Sequence, residues 1–363
     1  MQNQTQMKDS SNNIHPSFRL NGISYSAEEL NEVAYSLVKE GQDHEIEVGD
    51  FLLDWLSASD TLQVSTSGST GPPKVVRLHK KHMKNSAIAT GDYLGLKAND
   101  TALLCLPMSY IAGKMMMVRA LVLGLDLHYI IPSSSPLKNT AKQFNFAAMV
   151  PNQLKNDIGE IERVQKLIVG GAAISETLKN LIIDKANDIY ETFGMTETIS
   201  HIAMRKLSGG HSQKNFKTLN HIAIATDQRK CLLIKAPQIG VEELITNDMV
   251  TIVSDAEFNW LGRIDNVVNS GGVKLHPEKI EAKLESFCAG RFFVAGEPDE
   301  SLGEKLVLVV EGDPEPEQLF AKIRLIEDLE KFEVPRSIHT LPNFVMTSSG
   351  KINRKETLKL ISA

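Results

Sequence analysis

With 363 residues and 42% hydrophobic content, the chain has room for two domains, three at most, and a real core. A net charge of −6 gives no general basic character, which argues against nucleic acid or an anionic membrane as partner. Cys105, Cys231 and Cys288 lie far apart in or beside apolar runs, no apolar run approaches the ~20 residues of a membrane span, and Met1 to Asn13 lacks the apolar stretch of a secretory signal. A reducing, cytoplasmic setting is expected, with residues 1–15 disordered.

Ser26-Ala27-Glu28-Glu29 reads as a capping box opening an amphipathic helix, with Leu30, Val33, Ala34, Leu37 and Val38 on one face. A second short helix carries Phe51, Leu52, Trp55 and Leu56. Residues 61–64 and 74–78 predict two strands, joined by Thr66-Ser67-Gly68-Ser69-Thr70-Gly71-Pro72-Pro73-Lys74. Hydroxyls, glycines and a mobile cation in one loop suit phosphate oxygens. The strand–loop–strand setting, with Pro73 and Val75 flanking Lys74, separates it from the Gly-Lys-Ser/Thr loop that opens a helix. A flexible Ser/Gly linker is the alternative.

Helices over about 80–94 and 113–124 alternate with apolar strands at 101–106, 127–131, 146–150 and 166–169, the first expected to be buried on both faces. That alternation predicts an α/β fold with a mostly parallel sheet. Ligands of such sheets sit beyond the carboxyl ends of the strands. There the chain places Pro107 to Gly113, Gly170 to Ala173 and Glu191 to Thr198. From about 200 to 260 short alternating strands predict a small antiparallel β unit. The polar turn 261–266 divides a large N-terminal domain (1–263) from a small, mobile α+β C-terminal domain (266–363), with a hinge near 264–265. In the second domain His276-Pro277 opens a helix to Phe287, strands follow near 291–295 and 305–310, and a helix covers about 315–329. Ser348-Ser349-Gly350-Lys351 forms a late turn. Ser208-Gly209-Gly210-His211-Ser212 has no helix start around it and reads as a loop.

Four stretches together resemble the adenylate-forming superfamily of acyl-CoA synthetases, adenylation domains and luciferases. They are Thr66 to Lys74, Glu191-Thr192-Phe193-Gly194-Met195-Thr196-Glu197, Gly262-Arg263-Ile264-Asp265-Asn266, and Ser349-Gly350-Lys351-Ile352-Asn353-Arg354-Lys355. Within it, Asn269 to Pro277 and Pro107 to Arg119 look most like the o-succinylbenzoate–CoA ligases of menaquinone synthesis. The resemblance implies an acid–thiol ligase that consumes ATP with Mg²⁺ and coenzyme A and releases AMP and pyrophosphate.

By that resemblance Thr66, Ser67, Gly68, Ser69, Thr70, Gly71 and Lys74 grip the departing phosphates. Phe193 and Gly170-Gly171-Ala172 sandwich the adenine, within a nucleotide site that includes Glu191, Thr192 and Gly194. Asp248 accepts the ribose hydroxyls, supported by Arg263. Thr196 touches the α-phosphate, Glu197 holds Mg²⁺, and Lys351 is the catalytic cation. Ser109, Tyr110, Gly113 and Arg119 belong to the acid site, Gly271, Gly272 and Lys274 to the CoA face, and Asp265 to the hinge. Arg119 meets the ring carboxylate of the acid, unless it reaches solvent or pairs with a structural acid. His201 and His276 are read as structural.

Three residues depart from the pattern: Phe193 stands for tyrosine, Asn247 for glycine and Tyr110 for a histidine or aromatic. The chain is also short before the phosphate loop, which implies a reduced N-terminal subdomain. Another aryl or medium-chain acid, a carrier protein in place of CoA, or non-catalytic nucleotide binding are the competing readings.

Overall fold

The computed structural model describes residues 14–65, 75–210, 212–288, 290–347 and 351–361. Strands β1 (Arg19–Leu20) and β2 (Ile23–Ser24) precede helices α1 (Ala27–Glu40) and α2 (Asp43–Leu56). The α1 capping box forms as expected: Glu29 N–H donates to the Ser26 hydroxyl, and the Glu29 carboxylate accepts from Ser26 N–H. Helix α2 begins well before its apolar cluster, because Glu45 accepts from Gln42 N–H and supplies the missing start signal. The hairpin β3 (Thr61–Ser65) and β4 (Val75–His79) stands as a separate two-stranded sheet. Its connection, the expected phosphate loop, lies outside the described residues.

Helix α3 (Lys80–Leu94), β5 (Thr101–Leu104), α4 (Ile111–Leu123), β6 (Asp126–Tyr129), β7 (Phe144–Met149), α5 (Pro151–Asn156), β8 (Val164–Val169), α6 (Glu176–Ile182) and β9 (Asp188–Gly194) follow. Strands β1, β6, β5, β7, β8 and β9 pair in parallel in that spatial order. Their period-2 alternation feeds two cores. Ala102, Leu104, Phe146, Ala148 and Ile168 face α3 and α4, while Leu103, Ala147, Met149, Leu167 and Val169 face α5 and α6.

Strands β10 (His201–Lys206), β11 (Phe216–Thr218), β12 (Ala223–Thr226), β13 (Cys231–Ala236), β14 (Val241–Ser254) and β15 (Glu257–Arg263) form the expected antiparallel unit. It continues the same sheet, which runs β12-β13-β14-β15-β11-β10-β9-β8-β7-β5-β6-β1-β2. The chain reverses through a 3₁₀ turn at Thr196–Thr198, so β10 returns directly beside β9. So short a connection permits only antiparallel pairing. Gly194 sits where the two strands touch: a Cβ there would lie 2.4 Å from the His201 Cα.

A second sheet holds β16 (Val268–Ser270), β17 (Val273–Leu275), β18 (Phe292–Asp299), β19 (Gly303–Glu311) and β20 (Ser337–Leu341), with α7 (Pro277–Leu284), α8 (Pro316–Ile323) and α9 (Arg354–Lys359). Its core gathers Val268, Ile280, Leu284, Val294, Leu308 and Ile323. Helix α8 is shorter than its sequence pattern; it ends at Ile323, and Leu325 is 79% exposed. The chain is thus α/β, with a large mixed sheet followed by a small α+β unit.

Candidate active site

A cleft of about 1350 Å³ lies between the ends of β9, β14 and β15 on one side and α7 and the Lys351 segment on the other. Gly171, Ala172, Thr192, Phe193 and Gly194 line it, and Glu191, Asp248, Arg263 and Lys351 join them. Three of the four family stretches, with the Gly171–Ala173 loop and Asp248, therefore open onto one space. Gly170 lies just behind this wall, where a Cβ would fall 2.3 Å from the Thr192 hydroxyl. That hydroxyl donates to the Val169 carbonyl and keeps the β8 and β9 ends in register. The Phe193 ring packs edge-on against Phe258 and tilted against Phe216, at 5.2 and 5.8 Å between centroids. A base stacked on it would meet a ring held between two others.

Glu191 has both of its oxygens engaged within the protein. It is 4% exposed, its Oε1 accepts from Ile174 N–H, and its Oε2 takes the Arg205 guanidinium at 2.6 Å. It anchors the Gly170–Ala173 loop to β9 and β10. Asp248, 9% exposed, accepts from the Trp260 indole at 3.0 Å. Burial raises its pKa, opposed by the Trp260 bond and the Arg263 charge. Arg263 makes its ion pair with Asp265 at 2.6 Å, so it supports Asp248 through its field and not by a direct bond.

Lys351 accepts from Thr347 N–H through its carbonyl, beside the Met346–Ile352 bridge. Its ammonium reaches the cleft, and no carboxylate pairs with it among the described residues. Desolvation by the surrounding walls, then the Arg263 charge, lower its pKa.

Thr196 and Glu197 form the 3₁₀ turn beside the cleft, outside its lining. Glu197 is exposed and has no hydrogen bond or ion pair among the described residues. No cluster of three metal-ligating side chains occurs among the described residues. A cation here would take one protein carboxylate and complete its shell from ligand oxygens and water, which suits Mg²⁺. Ile199, 2% exposed, follows with φ 67° and ψ −53°, and Ser200 N–H donates to the Thr198 carbonyl at 2.7 Å. This γ-turn on a β-branched residue stores strain of about 1–3 kcal/mol.

Arg119 on α4 is 2% exposed. Its guanidinium donates to the Ser200 hydroxyl at 3.3 Å, Ser200 in turn bonds Ser86 at 2.8 Å, and the Arg119 Nε has no partner. Among the described residues no carboxylate pairs with it, and burial pushes its pKa down to about 10. His201, bonded to Thr90 at 3.1 Å, is driven well below 6.5 by burial and then by the Arg119 charge, so it is neutral. Ser109 N–H donates to Glu47, Tyr110 is 43% exposed, and Gly113 lets α4 close on Pro107, whose carbonyl would be 2.2 Å from a Cβ.

Away from the cleft lining, Gly271 and Gly272 take φ 58° and 82° in the tight β16–β17 hairpin, where only glycine is unstrained, with Lys274 exposed beside them. Asp265 accepts from both Arg263 and Asn247, the residue that replaces the usual glycine. His276 occupies the N-cap of α7. Thr66, Ser67, Gly68, Ser69, Thr70, Gly71 and Lys74 lie outside the described residues.

The family model of the AMP-binding enzyme matches residues 27–223. The chain belongs to this family. An acyl-CoA synthetase (AMP-forming)/AMP-acid ligase II-like protein from Dyadobacter fermentans is 34% identical, with 91% of this chain and 98% of that one covered at a TM-score of 0.61. The 2-succinylbenzoate–CoA ligase of Staphylococcus aureus is 26% identical over 324 residues. That match covers 80% of this chain, which spans about 65% of the length of that relative. The fold is shared with the O-succinylbenzoate coenzyme A synthetase of Bacillus subtilis in complex with ATP and magnesium ion, at 19% identity, 92% and 82% coverage and a TM-score of 0.73.

Within this family's site, sequence reasoning passed over Trp260, Arg205 and Ser200, and took Thr198 only as the end of a strand-end stretch. None carries a signal of its own. Trp260 pairs with Asp248 across the β14–β15 hairpin, a partner legible only once that register is known.

Proposed function

We propose that this protein is an ATP-dependent acid–CoA ligase acting on o-succinylbenzoate, with o-succinylbenzoyl-CoA as product in menaquinone synthesis. The observation that carries the reading is Arg119, a buried guanidinium with no counter-charge among the described residues. Holding an uncompensated cation inside a protein costs several kcal/mol. An acid with a second carboxylate that stays charged supplies what the site lacks, since a guanidinium meets a carboxylate with paired bonds. Arg119 is closed off from solvent and pairs with no acid among the described residues, and the similarity to 2-succinylbenzoate–CoA ligases points the same way.

In this reading the succinyl carboxylate attacks the α-phosphate of ATP and expels pyrophosphate, and the CoA thiol then displaces AMP to form the thioester. Asp248 holds the ribose hydroxyls, Phe193 and the Gly171-Ala172 loop hold the adenine, and Thr196 meets the α-phosphate. Glu197 would hold Mg²⁺, which neutralises phosphate charge. Lys351 stabilises charge developing on the transferred group. Residues 1–263 and 266–363 act as two domains that turn about 264–265, presenting Lys351 for the first step and the Gly271, Gly272 and Lys274 face for the second.

Pyrophosphate release over a panel of acids, with and without CoA, tests the assignment. Arg119→Leu should raise KM for o-succinylbenzoate at least about tenfold, roughly 1.4 kcal/mol. Activity on an analogue lacking the ring carboxylate should persist. Equal loss on both substrates would return the acid to an unspecified aryl acid.

A further inference from the structure

Thr198 lies between the metal carboxylate and the strained γ-turn, and it is fully buried. Its hydroxyl accepts from Met195 N–H at 3.1 Å and lies 3.0 Å from the Met195 carbonyl and 2.8 Å from the Ser200 carbonyl. One side chain thus ties both ends of the 195–200 loop. Between those ends stand Thr196 and Glu197, and the far end also carries the Ser200 hydroxyl that meets Arg119. Ile199 would not keep φ 67° unless its neighbours were held on both sides. Deleting the hydroxyl leaves the two ends joined only by backbone bonds in a conformation the chain does not favour.

We propose that Thr198 is a positioning residue, a clamp that holds Thr196 and Glu197 in place for the phosphates and the cation and keeps them in register with Arg119. The proposal rests on the ligase reading for its chemistry, although the clamp itself is geometric. A residue that merely fills the core would act through its methyl group. A clamp acts through its oxygen, and valine and serine separate the two.

Full-length Thr198→Val and Thr198→Ser are compared with wild type in three measurements. Thr198→Val should lower kcat for adenylation, and raise the Mg²⁺ concentration for half-maximal activity, by about tenfold each, the scale for residues that orient metal ligands. By calorimetry the gain in ATP affinity on adding Mg²⁺ should shrink, while affinity in EDTA is kept. Amide exchange over 195–201 should quicken. Thr198→Ser should stay close to wild type throughout. Wild-type Mg²⁺ dependence and exchange in the valine variant would overturn the clamp, as would equal impairment by serine. Should the valine variant fail to fold, serine still decides: a shifted Mg²⁺ dependence there refutes the proposal. If wild type gains ATP affinity from Mg²⁺ yet adenylates no acid, the ligase reading falls alone and calorimetry and exchange still judge Thr198. Without that gain in wild type, both fall.

Discussion

Glu191 shows how a residue of a ligand-binding stretch can serve the site from behind. Both of its oxygens are engaged, one by Ile174 N–H and one by Arg205, and Arg205 in turn lies 4.5 Å over the Phe216 ring that braces Phe193. Glu191→Ala would leave the Arg205 guanidinium largely buried without its partner. The expected loss is about 3 kcal/mol of stability, read by urea denaturation. ATP affinity should fall as well, because the Gly170–Ala173 loop loses its anchor. Unchanged affinity in the folded variant would mean that the loop holds its shape alone. The motif marked Glu191 from its sequence, but the direction of its carboxylate depends on β10, which no local pattern reveals.

In the proposed reading, acid recognition depends on helix α4. It is buried nearly all round, so its residues show no amphipathic stripe, and Arg119 stands among Met115, Met116, Met117 and Val118. Its start is pinned where Gly113 meets the Pro107 carbonyl. A methyl group there must push the helix away from β5. Gly113→Ala is therefore expected to cost about 1–3 kcal/mol, the range for overpacking a filled site. It should also raise KM for the dianionic acid while sparing ATP affinity, measured by calorimetry. A variant with wild-type stability would show that α4 can shift freely. The start of α1 and the span of α3 were legible because a capping box and local sequence patterns act over near neighbours. The merging of the antiparallel strands into the main sheet was not, since it depends on pairing across the Thr196–Thr198 reversal.

At the scale of the whole molecule, the cleft joins the last strands of the large sheet to α7 and the Lys351 segment of the small unit. Lys351→Ala should reduce adenylate formation by about 10²-fold or more, as for a lost transition-state charge, and leave thioester formation from supplied acyl-adenylate nearly intact. Damage to both half-reactions alike would exclude a turn of the small unit between them. In its proposed role the lysine acts protonated, and its pKa is lowered by desolvation and by Arg263. The rate of adenylation should therefore fall on the alkaline side at a lower pH than an ordinary lysine would give. Arg263→Gln should move that limb upward; a limb that stays put would assign it to another group. The sequence by itself determined the capping box of α1, the span of α3, the buried strands, and the ordered motifs that mark the family. Those features depend on near neighbours and on composition along the chain. Tertiary structure alone decided that Arg119 has no acid beside it among the described residues and meets Ser200, 81 residues away, and that Arg263 pairs with Asp265. Hydrogen bonds and ion pairs act over a few ångströms, and only the folded chain brings such distant residues within that reach.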